Sequence, residues 1–158
     1  APHRRTVTAA AHSRGRAPPH RADYRFFHGL TTRWKDNDAF GHVNNVEYYS
    51  YFDTAVTWFL LEHRLIGVLD GDIITVVVET GCRYHAPVAF PDRVTVGVRV
   101  ARIGTSSVRY EIAVFRNDED EAAADGHFVH VYVDRASMRP VPVPAASRAA
   151  LAAISVIA

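Results

Sequence analysis

The chain has 158 residues, enough for one domain with a substantial core. Apolar residues make up 48% and charged residues 22%, an ordinary balance for a soluble globular protein. The formal net charge of +1 points away from nucleic-acid and membrane partners, and no run approaches the roughly 18 apolar residues of a membrane span.

Residues 1–22 hold Arg4, Arg5, Arg14, Arg16 and Arg21 and no acidic residue, which leaves the remainder mildly negative. With Ala, Ser, Thr, Pro and Gly filling the rest and no apolar period, the stretch reads as a flexible basic arm. Residues 23–158 are then the single folded domain. No h-region of a secretory signal is found, and the lone Cys82 excludes an intrachain disulfide and fits a reducing cytoplasm. Cys82 falls in a strand-like run and reads as a small buried hydrophobe rather than a nucleophile.

The first ordered element is expected as a strand from about Tyr24 to Lys35, with Phe26, His28, Leu30, Thr32 and Trp34 on one face. A polar turn follows, Asp36-Asn37-Asp38-Ala39-Phe40-Gly41-His42. Then the period changes: Val46, Tyr49, Phe52, Val56, Phe59 and Leu60 predict a helix over about 45–63, with Asn44 or Asn45 as its N-cap. Its many aromatics imply a helix largely enclosed by other structure. Strands are expected over 73–85, 93–103, 107–116 and 128–134. In the second of these, Val94, Val96, Val98 and Val100 share a face. The acidic run 117–121 reads as a solvated hairpin loop rather than a metal site, and a short helix is expected around 147–154. A single long helix cannot supply a parallel crossover between every pair of strands, so the sheet should be mostly antiparallel. The expected class is α+β, one long helix against one curled sheet: a hot-dog fold.

The informative stretch runs from Arg33 to Tyr48. Two carboxylates and a histidine sit in a turn that opens directly into a helix start, where backbone N–H groups lack partners and the dipole is positive. Such groups polarise a carbonyl and hold its developing oxyanion. A carboxylate a few residues upstream can act on the carbonyl carbon, directly or through water. An Asp before a helix is also an ordinary cap or turn residue, so the residues alone leave catalysis and capping both open.

The run Asp36-x-Asp38-x-x-Gly41-His42-Val43-Asn44-Asn45-x-x-Tyr48 resembles the signature loop of the 4-hydroxybenzoyl-CoA thioesterase family. The downstream Tyr84-His85-Ala86-Pro87, Asp92 and Val133-Asp134 are similar to that family as well, so the resemblance covers roughly Tyr24 to Pro144. It implies an acyl-CoA thioesterase, with acyl-ACP as a variant carrier, working as a homodimer or homotetramer. It also implies roles. Asp38 would be the catalytic carboxylate, as nucleophile or as general base. Asn45 would lend its backbone N–H to the thioester carbonyl, so its side chain is dispensable. His42 would orient Asp38, contact substrate or brace the loop. Gly41 would let the chain pass close to substrate. Asn44 and Tyr48 would border the substrate, and Asp36 would serve loop structure.

No cofactor is expected beyond the coenzyme A of the substrate. No metal is expected either, since neither His-Glu-x-x-His nor Cys-x-x-Cys spacing occurs. A thiol leaving group with a pKa of about 8.5 can depart without a dedicated acid, which suits so sparse a site. Glu79 is a second candidate acid, with a salt bridge or interface role as its competing reading. Arg83, Arg99, Arg102 and Arg109 are candidate phosphate contacts. Two other functions compete: a hot-dog hydratase or dehydratase, and a non-catalytic acyl-thioester-binding protein.

Overall fold

A computed structural model describes residues 15–67 and 70–156. It contains five strands and two α-helices: β1 (Phe26–Thr31), α1 (Glu47–Glu62), β2 (Ile73–Tyr84), β3 (Arg93–Ile103), β4 (Ser107–Arg116), β5 (Ala124–Asp134) and α2 (Ala145–Ala153). The sheet order is β1-β3-β4-β5-β2, with every neighbouring pair antiparallel. This is the hot-dog arrangement, with one face of α1 packed on the sheet; Ser50, Asp53, Thr54, Trp58 and Leu61 are exposed, so the helix is covered on one face rather than largely enclosed.

Alternation explains the core. Val94, Val96, Val98 and Val100 of β3 and Val108, Tyr110, Ile112 and Val114 of β4 all point inward and are buried. They meet Phe52, Ala55, Val56, Phe59 and Leu60 of α1, which are buried to within 1%. Within this core lies His130 of β5, whose Nδ1 has no partner among the described residues. Burial pushes its pKa down to about 4, so the ring is neutral.

Several expectations need correction. The first strand ends at Thr31, because the chain then tightens into a 3₁₀ turn at Trp34–Asp36. Trp34 is therefore not on the inward face and is 76% exposed. Val46 precedes the helix and is 59% exposed, so it does not belong to the buried stripe. The last strand begins four residues early, at Ala124. β2 and β3 follow one another in the chain but are not paired: β2 lies at the far edge and pairs with β5.

Residues 1–14 of the expected arm lie outside the described residues. Of the remainder, residues 19–22 dock on the acidic loop: Ala122 N–H donates to Pro19 O, and Arg21 reaches the carbonyls of Asn117 and Glu119 at 2.8 Å each. The Arg21 guanidinium also lies 4.9 Å above the Phe115 ring. Beside it, Tyr24 packs with Ala113, Phe115 and Ala122 into a small cluster separate from the main core. No helix among the described residues is long and apolar enough to cross a membrane.

Candidate active site

The loop between β1 and α1 is held from beneath by Asp36. This carboxylate is fully buried and accepts the Tyr51 O–H at 2.7 Å, the Arg33 N–H at 2.9 Å and the Arg33 guanidinium at 3.1 Å. Burial alone would raise its pKa, but these donors together hold it below the ordinary carboxylate value. Arg33 also lies 3.5 Å from Glu47 in the first turn of α1. Asp36 is thus a structural anchor of the loop.

Asp38 stands half-buried in the turn above. Its Oδ1 accepts the Phe40 N–H at 2.9 Å, and its own N–H and C=O pair with His42 O and Gly41 N–H. Gly41 takes φ +83°, a conformation that side chains disfavour, which is why glycine closes this turn. Phe40 is left at the tip, exposed. His42 is exposed, and its imidazole has no hydrogen-bond partner among the described residues.

At the helix start, neither Asn is the N-cap. Val46 holds that position in a helical conformation. Asn44 acts one step earlier: its Oδ1 accepts the Val46 N–H at 3.1 Å and its C=O accepts the Glu47 N–H at 2.9 Å. Tyr84, from the end of β2, donates its O–H to Asn45 C=O at 2.8 Å. These bonds occupy the peptide after Asn45. The Asn45 N–H itself has no acceptor among the described residues.

Asn45 borders a shallow cleft of about 300 Å³. It is lined by His42, Val43, Asn45 and Tyr48 from the loop and helix start and by Tyr84, His85, Ala86 and Pro87 from the end of β2. Of the expected site residues, His42, Asn45 and Tyr48 line the cleft, whereas Asp38, Gly41 and Asn44 do not. Burial pushes the Tyr48 phenol up to about 12 and raises the Tyr84 phenol as well, so both stay protonated. Burial likewise pushes the Cys82 thiol up to about 11, which makes it a poor nucleophile.

Tyr84 and His85 join the site although the sequence marks only their segment and gives them no role. His85 Nε2 lies 2.6 Å from Asp125 Oδ1, both side chains being 16% exposed. Nothing in the spacing joins two residues forty positions apart. Glu79, the second candidate acid, accepts from His127 at 2.8 Å and faces Arg109 at 3.8 Å on an exposed surface. Arg99 is taken up by Glu111 and by Asp23 O, which removes it from the candidate phosphate contacts. No group of three or more His, Cys, Asp or Glu among the described residues could hold a metal ion.

Residues 32–151 match the model of the thioesterase-like superfamily. The chain is 51% identical to the PA5185 protein of Pseudomonas aeruginosa PAO1, covering 87% of this chain and 96% of that one with a TM-score of 0.85. It is 33% identical to a thioesterase from Thermus thermophilus solved with coenzyme A and zinc, covering 81% and 92% with a TM-score of 0.69. The Bacillus subtilis protein YsmA, itself uncharacterised, is 26% identical over 121 residues, which are 77% of this chain and 81% of its own. A match over this span, with the fold and the loop already in place, means that the chain belongs to the thioesterase-like superfamily.

Proposed function

We propose that this protein is an acyl-CoA thioesterase that hydrolyses its substrate to a free acid and the coenzyme A thiol. The observation that carries the reading is the open Asn45 N–H at the start of α1, on the wall of a cleft. A thioester oxygen seated there would meet a fixed donor and the positive end of a sixteen-residue helix. Tyr84 and Asn44 occupy the adjoining peptide, which keeps that donor from turning away.

Asp38 supplies the reacting carboxylate, either by attacking the carbonyl carbon or by taking a proton from the water that does. It stands on the same tight turn as His42, four residues upstream, while His42 reaches the cleft wall. The carbon–sulfur bond then breaks, and the electron pair leaves on sulfur. Coenzyme A as the carrier is supported by the Thermus relative, whose structure holds it. The unpaired edge of β2 displays Val77 and Val78, which suits pairing with a second copy of the chain into a homodimer or a tetramer.

Release of thiol from a panel of short, long and aromatic acyl-CoAs tests this reading. Asp38→Asn and Asp38→Ala should lower turnover by at least about a hundredfold while the fold is kept. Undiminished thiol release in a folded Asp38→Ala protein would remove Asp38 from the mechanism. Hydration of an enoyl thioester with no thiol released would replace hydrolysis by hydratase chemistry.

A further inference from the structure

The end of β2 that lines the cleft carries a histidine–carboxylate pair that the reading above leaves unused. His85 follows Tyr84 directly at the end of β2. Its N–H and that of Ala86 both donate to Ala123 O, at 2.8 and 3.0 Å, which fixes the backbone that carries the ring. Its Nε2 is held by Asp125 of β5 at 2.6 Å, while its Nδ1 has no partner among the described residues. His85 lines the same cleft as Asn45 and His42.

An imidazole held at one nitrogen by a carboxylate has a fixed orientation and presents the other nitrogen in a defined direction. The attacking group comes from the side of the Asp38 turn. The other segment that lines the cleft, Tyr84 to Pro87, is then left for the departing sulfur. We infer that His85 is a catalytic residue, the acid that protonates the leaving thiolate, and that Asp125 is its positioning residue.

This rests on the thioesterase reading. Water gives one proton to Asp38 as its oxygen bonds to the carbonyl carbon. The carbon–sulfur bond breaks with its electron pair on sulfur, and the imidazolium of His85 passes its proton to that sulfur. The proton on Asp38 then returns through solvent to His85, which restores both groups. Because a thiolate can leave unaided, the acid accelerates the step without being indispensable to it.

Dependence on the leaving group tests the role. Two thioesters of one acyl group are compared, one of coenzyme A, an alkyl thiol, and one of a more acidic aryl thiol. His85→Gln should slow the coenzyme A ester about a hundredfold and the aryl ester only a few-fold. Asp125→Asn should show the same imbalance at a smaller scale, and added imidazole should restore His85→Ala on the coenzyme A ester. A purely structural role would slow both esters equally, and that result, or no slowing at all, overturns the assignment. If the wild-type protein releases thiol from neither ester, the thioesterase reading falls and this one falls with it.

Discussion

Tyr84 at the end of β2 and Asn45 at the start of α1 are joined by one hydrogen bond of 2.8 Å, from the phenol to the carbonyl. It is a tie between an edge strand and the mouth of the central helix, 39 residues apart in the chain. Through it, the sheet decides how the peptide next to the proposed oxyanion donor is oriented.

Tyr84→Phe keeps the ring that packs edge-on against Tyr48 at 5.0 Å and removes this bond, together with the phenol's contacts to Cys82 and Tyr49. Turnover of a thioester should fall about tenfold, with less effect on KM, because one orienting bond in a site is worth about 1–1.5 kcal/mol. Unchanged kcat would show that Asn44 alone suffices to hold the peptide.

Asp36→Asn replaces a buried carboxylate that accepts from Tyr51 and twice from Arg33. The substitution should destabilise the fold by about 2–4 kcal/mol, as loss of a buried charged acceptor does. Urea unfolding reads this directly. Because the Asp36 pKa is depressed in the fold, its contribution is complete above the unfolded value of about 3.9 and is lost as the pH falls through the lower folded value.

His130 sets a separate window. Its pKa falls to about 4 in the fold, against about 6.5 unfolded, so the unfolded chain binds the extra proton between those values. Stability should be full above about pH 6.5 and decline by about 3 kcal/mol as the pH drops to about 4. In His130→Phe that decline should flatten when urea midpoints are compared at about pH 7, 5.5 and 4. A wild-type protein equally stable at all three would contradict the neutral buried ring.

Gly126 of β5 sits where a side chain has no space. A Cβ there would collide with Gly81 O and lie 2.7 Å from the Phe52 ring. Gly126→Ala should therefore cost about 1–3 kcal/mol, the range of overpacked cores, and lower the urea midpoint accordingly. An unshifted midpoint would mean that β2 moves away freely.

Legibility follows the range of the forces involved. The strands at 93–103 and 107–116 are legible to their observed ends, since their valines alternate and Gly104 marks the turn. The first strand is shorter than its pattern because Thr32 and Trp34 continue the alternation, whereas buried Asp36 draws the chain into a tight turn before they can pair. The loop at 36–45 is legible because its residues act on neighbours. The pairing of β2 with β5 is not, nor is the His85–Asp125 contact that follows from it, because partners distant in sequence leave no periodic trace.

Among the described residues of one chain, β2 has a strand neighbour on one side, so the half of the proposed reaction chamber that it carries depends on the β5 seam and on the Tyr84–Asn45 bond. The seam already contains one irregular step, between Val77 and Glu79. A slip of two residues along it would carry Tyr84 and His85 about 7 Å away from Asn45. Mutations far from the chamber that loosen this seam should thus silence turnover well before they unfold the chain.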